Sequence, residues 1–237
     1  MIAEAGLAAL WFATMLALLQ LAFGALALSP RFADFARSVA PVAVAQAAMA
    51  SIAFLCLVTV FMQSDMSVLL VAPNSHSAKP MLFKFAGTWG NHEGSMLLWV
   101  SILAVGGAAV ALFERALDAR TKIATLAAQG AIALGFYAFL LLSSNPFPRL
   151  SPAPANGQDL NPLLQDPGLA FHPPTLYLGY VGMSVAFSFA VGALITRTVD
   201  QGFARAMRPW ILGAWVFLTI GITAGRYWDY SEPGRGG

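Results

Sequence analysis

Apolar residues in this chain do not alternate with polar ones; they run in long unbroken blocks. Windows without Asp, Glu, Lys or Arg cover about Ala5–Leu28, Pro41–Met62, Met96–Phe113, Ile123–Ser143, Thr175–Ile195 and Trp210–Gly225, the last being the shortest. A helix rising about 1.5 Å per residue crosses a hydrocarbon core of about 30 Å in roughly 20 residues. A single charge at mid-span costs about 2.5–3.5 kcal/mol on insertion scales, so six charge-free windows predict six transmembrane helices. Continuous runs, rather than period-two alternation, argue against membrane β-strands. The expected fold is an all-α integral membrane protein, with residues 1–237 forming one polytopic unit. The first block ends in Ala25-Leu26-Ala27, which has the look of a signal cleavage site. No Lys or Arg precedes it, however, its only early charge is Glu4, and the run is too long for a signal core. It reads as an uncleaved first helix.

Composition narrows the function classes. Of the 237 residues 58% are hydrophobic and 10% charged, against about 25% charged in soluble domains. Such a chain is neither a soluble enzyme nor a disordered segment. The net charge of +2 implies no polyanionic partner and hence no nucleic acid. The lone cysteine, Cys56, excludes an internal disulfide, a CxxC redox pair and a CxxCH haem attachment site.

Lysine and arginine placement sets an expected orientation. Arg31, Arg37, Arg115, Arg120, Lys122, Arg197, Arg205 and Arg208 fall in the three short connections; Lys79, Lys84, Arg149, Arg226 and Arg235 fall in the two long connections and the tail. The positive-inside rule puts the short connections in the cytoplasm. The N-terminus and both long loops, about residues 63–95 and 144–174, are then outside. All three histidines, His76, His92 and His172, lie in those loops.

The first long loop closes with Trp89-Gly90-Asn91-His92-Glu93-Gly94-Ser95 as the third span begins. Ser95 or Glu93 suits the cap of that helix, and Trp89 an interfacial anchor. His92 reads as a polar residue at a helix start, with a ligand or proton-transfer role as the alternative. His76 reads as a solvated loop residue. The second long loop is stiffened by prolines and by Asn-Gly and Pro-Gly turns, and its Leu150, Leu160, Leu163, Leu164, Leu169 and Phe171 suit a membrane-surface wall. It ends in Phe171-His172-Pro173-Pro174-Thr175-Leu176-Tyr177. A proline in the first helical turn predicts a helix starting after His172. The positive helix end would then favour neutral imidazole, the metal-binding form. Phe171, Tyr177 and Tyr180 offer an aromatic setting for a flat cofactor, and an axial His in an apolar pocket suits haem iron. A capping or hydrogen-bonding role for His172 is the alternative. With no HExxH and no Cys/His cluster, zinc is unsupported. The glycine pair Gly221 and Gly225, and Gly179 with Gly182, read as helix-packing signals.

These segments resemble the CcmF family, the haem lyase subunit of cytochrome c maturation, and the related nitrite-reductase assembly lyase. The likeness runs through Val71–Ser75, the Trp89–Ser95 motif, Asn145-Pro146-Phe147, the long run from Gly157 to Tyr177, and Gly179–Gly182. It implies a multi-pass bacterial inner-membrane protein that binds b-type haem transiently, with functional loops in the periplasm. It implies partners: the periplasmic haem chaperone CcmE, a CcmH-type apocytochrome-handling subunit, and apocytochrome c, whose CxxCH receives the haem. Haem arriving across the membrane or from outside is equally compatible. By resemblance His172 matches a family histidine proposed as axial haem ligand, and His92 the histidine of a WGxHEGS motif without assigned role. Residues 226–237, with Trp228 and Tyr230, resemble the opening of the family's tryptophan-rich haem-handling motif. Pro233 stands where Leu is usual there, and Arg235 where Trp is usual. Family members are far longer, so the chain is expected to be an N-terminal portion that does not catalyse ligation alone. The alternatives are a transporter or channel subunit, which the charge-free spans disfavour, and an inactive fragment.

Overall fold

The computed structural model describes residues 1–159 and 166–231, with side chains through residue 227. Trp228 and Tyr230, named for the haem-handling motif, therefore lie outside the residues with described side chains. Leu160, Leu163 and Leu164 of the second long loop lie outside the described residues, as do residues 232–237.

Among the described residues eight α-helices follow in order: α1 (Ile2–Ala27), α2 (Ala36–Met62), α3 (Val71–Asn74), α4 (Met81–Gly87), α5 (His92–Phe113), α6 (Ala119–Leu142), α7 (Pro167–Thr196) and α8 (Gln201–Ser231). A short 3-10 segment, Pro30–Phe35, joins α1 to α2. The six long helices are each long and apolar enough to cross a membrane, which matches the six predicted windows. The chain is a multi-pass membrane protein, and its described residues are nearly all helical outside the loops. Among the described residues the only β pairing is an isolated bridge between Val68 and Arg149.

Each long helix begins earlier than its charge-free window. The helix α8 starts at Gln201 rather than Trp210 and carries Arg205 and Arg208 in its first turns. The helix α6 starts at Ala119, where the Asp118 carboxylate accepts from the amides of Arg120 and Thr121. Backbone pairing continues past the hydrocarbon boundary wherever a cap or a neighbouring helix supports it.

Helices α1, α2, α5 and α6 pack around Leu10, Leu57, Phe61, Leu97 and Tyr137, all fully buried. Small residues bring the backbones close: a Cβ on Gly24 would lie 2.7 Å from Ala127 Cβ. Such close approach is the main source of helix association in lipid. Polar groups in this interior pair across helices. Gln20 donates to the Leu126 carbonyl at 2.7 Å, Gln46 to the Tyr137 hydroxyl at 3.1 Å, and Gln129 to the Leu103 carbonyl at 3.2 Å while accepting from Ser188 at 2.6 Å. The helix α7 packs on α5 and α6, and α8 packs along α7.

The two long connections and the N-terminus share one face. Arg149 donates to Glu4 at 2.8 and 3.0 Å, to Asp65 at 2.8 Å, and to Ser67. The amides of Leu69 and Leu150 bond to the carbonyls of Pro148 and Ser67, and Gln158 N donates to Ala72 O. Lys79, with its side chain fully covered, pairs with Asp159 at 3.2 Å. Burial draws its ammonium below the usual lysine range, an effect that Asp159 partly offsets. The two predicted loops are thus zipped into one cap.

Candidate functional site

The local sequence around His172 dictates an unusual helix start. The helix α7 begins at Pro167, and the Asp166 carboxylate accepts from Gly168 N at 2.7 Å. The expected start after His172 is therefore corrected: the proline-first rule holds, but at Pro167. Pro173 and Pro174 sit inside the helix, and His172 is its sixth residue. A helix terminus acts over about one turn, so the terminal field does not govern this imidazole.

A carbonyl on α8 governs it instead. His172 Nδ1 lies 2.8 Å from Gly221 O. A carbonyl only accepts, so Nδ1 carries a proton, and in the neutral ring the lone pair is on Nε2. An imidazole bonded through Nδ1–H to a backbone carbonyl is the usual support for metal ligation through Nε2. Gly225, one turn further along α8, makes room for the ring: a Cβ there would lie 2.5 Å from His172 Cε1. Leu176 crosses Gly221 in the same way, Gly179 crosses Leu218, and Gly182 crosses Ala214, so α7 and α8 run antiparallel at close range. The glycines read as packing signals thus also seat His172. Their four-residue spacing was visible in the sequence; their partner was not.

Trp89 and His92 form a different neighbourhood. A cleft of about 530 Å³ is lined by Trp89, Asn91, His92, Ser95, Met96, Trp99, Leu169, Pro173 and Tyr177 among others. His172 is not part of its lining. Asn91, not Ser95 or Glu93, caps α5, accepting from Gly94 N at 2.7 Å. His92 is the first residue of α5, exposed, with its ring edge-on to Phe139 at 5.8 Å. Glu93 follows it, half-buried, in the first turn. Tyr177 and Tyr180 pack against Trp99 at 5.8 and 5.1 Å, toward α5, whereas the His172 imidazole faces α8. Phe171 is exposed.

Trp89 is not a lipid-facing anchor. It is 5% exposed, packed edge-on against Phe85 and stacked on Phe54. Its indole N–H donates to Leu169 O at 2.8 Å. Ser95 Oγ donates to Trp89 O at 2.8 Å and accepts from the Tyr177 hydroxyl at 3.2 Å. His76 lies in the zipped cap, where its Nδ1 accepts from Ala78 N. A more enclosed apolar groove of about 520 Å³ lies between α2, α5, α7 and α8, and its lining includes no titratable side chain. Among the described residues no three His, Cys, Asp or Glu side chains converge as a metal cluster. Among the described residues, the His172 imidazole is presented by α7 and α8, apart from the aromatic cleft around Trp89.

Residues 89–234 match the family model described as cytochrome C assembly protein. The chain is 54% identical over its full length to the cytochrome c-type biogenesis protein ccl1 of Rhodobacter capsulatus, of which it covers 36%. It is 48% identical over its full length to the cytochrome c-type biogenesis protein CcmF of Pseudomonas aeruginosa, again covering 36%. Among solved structures it resembles the cytochrome c haem lyase CcmF with a TM-score of 0.85 at 28% identity, over 97% of this chain and 36% of that one. The chain thus spans about a third of the length of these relatives. It belongs to the cytochrome c assembly protein family, within its CcmF group.

Proposed function

We propose that this chain contributes one half of an external haem site in a membrane haem lyase of cytochrome c biogenesis. His172 would hold the haem iron through Nε2. The observation that carries this reading is the seat of that ring, with its Nδ1 proton held by Gly221 O and its Cε1 beside Gly225. Such a donor suits haem iron, which takes an axial imidazole and is tuned by the hydrogen bond behind it. The face bearing His172 also bears the N-terminus and the long connections, and the arginine distribution supports its assignment to the periplasm.

Haem would reach this face from a periplasmic chaperone of the CcmE kind and pass to the CxxCH of apocytochrome c, with a CcmH-type subunit presenting the peptide. Haem supplies the vinyl groups to which cysteine thiols add. This chain contributes position rather than a nucleophile, holding the macrocycle while the reacting groups meet. Trp228 and Tyr230, just beyond Gly225 on α8, would extend the same site, and the remaining length of the relatives would complete it. The inner membrane is the compartment this route requires.

The test is maturation of a c-type cytochrome by the full-length protein carrying His172→Ala. The expected result is loss of covalent haem attachment with normal membrane insertion. Unchanged maturation would remove His172 from the site.

A further inference from the structure

Pro173 and Pro174 have no N–H, so the carbonyls of Leu169 and Ala170 lose the donors four residues ahead that a regular helix would give them. Leu169 is buried, and an unpaired carbonyl in apolar surroundings is costly. The donor comes from Trp89, whose indole N–H reaches Leu169 O at 2.8 Å from the junction of α4 and α5. The indole has little freedom, held by Phe85 at 4.7 Å and Phe54 at 6.4 Å. Its own carbonyl takes the Ser95 hydroxyl, which in turn takes the Tyr177 hydroxyl. Tyr177 is again on α7. Trp89 therefore fastens α7 twice, at Leu169 directly and at Tyr177 through Ser95, and His172 lies between the two ties.

We infer that Trp89 is a positioning residue for the His172 imidazole, replacing the helix donor removed by Pro173 and fixing the turn that carries the ligand. This rests on the reading of His172 as a haem ligand given above. The side chain touches neither His172 nor the iron in this role; it sets where α7 places the ring against Gly221 and Gly225.

The test titrates the full chain in detergent with ferric haem, read by the Soret band and by the axial-ligand pattern in electron paramagnetic resonance. Wild type, His172→Ala, Trp89→Phe, Pro173→Ala and the double variant Trp89→Phe/Pro173→Ala are compared. Trp89→Phe keeps an aromatic ring but removes the N–H, so the turn of α7 shifts and His172 leaves Gly221 O; loss of the hydrogen bond behind a ligating imidazole weakens metal binding about tenfold. The expected result is that loss, with a broadened or heterogeneous axial-ligand signal. Pro173→Ala returns an amide to Leu169 O, so the double variant is expected to recover most of the affinity and a homogeneous signal. Removing a helix-interior proline also stabilises α7 in general, so the unfolding midpoint of each variant is measured alongside, and recovery of the axial-ligand signal beyond any gain seen in Pro173→Ala alone marks positioning. If His172→Ala binds haem like wild type, the ligand reading itself fails. If His172→Ala differs but Trp89→Phe does not, or if Pro173→Ala brings no rescue, the positioning role is overturned while the ligand reading stands.

Discussion

His172 Nδ1 lies 2.8 Å from the carbonyl oxygen of Gly221, one turn before the glycine whose missing side chain leaves room for the ring. Two helices are thus needed to present one imidazole: α7 supplies the ring, and α8 supplies both its hydrogen-bond acceptor and its floor. The proposed chemistry belongs to this pair, so damage to α8 is expected to appear at His172.

The glycines of α8 are therefore expected to differ sharply from one another. A methyl on Gly225 would overlap the imidazole, and one on Gly221 would meet Leu176 Cα at 2.6 Å, whereas one on Gly213 meets nothing within 4 Å. Overpacking of this kind costs about 1–3 kcal/mol. Gly225→Ala and Gly221→Ala are expected to lower the detergent unfolding midpoint and weaken haem binding, and Gly213→Ala to do neither. Thermal denaturation of the three variants side by side checks this; equal behaviour would mean that the α7–α8 register is not as described.

How much of this was legible in the sequence follows from the range of each interaction. The six helices were readable because excluding charge from a span is a local property of each window. Their starts were not, because the windows kept only the charge-free hydrocarbon stretch, while Asp118 and Asp166 cap helices that begin further out. The interior of the site was least readable. Trp89 with Leu169 and His172 with Gly221 join residues 80 and 49 positions apart, and no spacing rule pairs them. The one sequence clue to the first was the Pro173-Pro174 pair, which strips donors from carbonyls that something else must satisfy.

Acid is expected to loosen the cap formed by the two long connections. Burial alone would raise the Asp65 carboxyl, but its bonds to Ser67 and Arg149 outweigh this and hold it below the usual carboxylate range. A depressed folded value means the stabilisation is complete above the unfolded value of about 3.9 and is lost as pH falls through the folded one. The pair is partly exposed, so its worth is below about 1 kcal/mol. Unfolding of wild type and Asp65→Asn, followed from pH 6 to pH 2.5, is expected to show a wild-type advantage that holds above about pH 4 and shrinks progressively below it. An advantage that persists unchanged to the lowest pH would contradict the clasp.

The buried amide of Gln129 bridges α5, α6 and α7 by accepting from Ser188 and donating to Leu103 O. Gln129→Leu is expected to destabilise the bundle by about 1 kcal/mol, the scale of interhelical hydrogen bonds in membranes. Steric trapping or a denaturant titration in mixed micelles measures this directly, and a neutral or stabilising result would show the bridge to be dispensable.

Orientation has an independent check. In a Cys56→Ala background, Ser77→Cys in the cap is expected to react with an impermeant maleimide added to spheroplasts, and Thr198→Cys between α7 and α8 only after permeabilisation. The reverse pattern would put His172 on the cytoplasmic side and exclude the proposed periplasmic route.

The most direct measurement of the central claim is a ferric-haem titration of the full chain carrying His172→Gly, with and without added imidazole. The account predicts that the variant loses the Soret shift and axial-ligand signal of the wild type, and that free imidazole, entering the space left by the ring, restores both. Wild-type binding and spectrum in the variant, with imidazole making no difference, would contradict it.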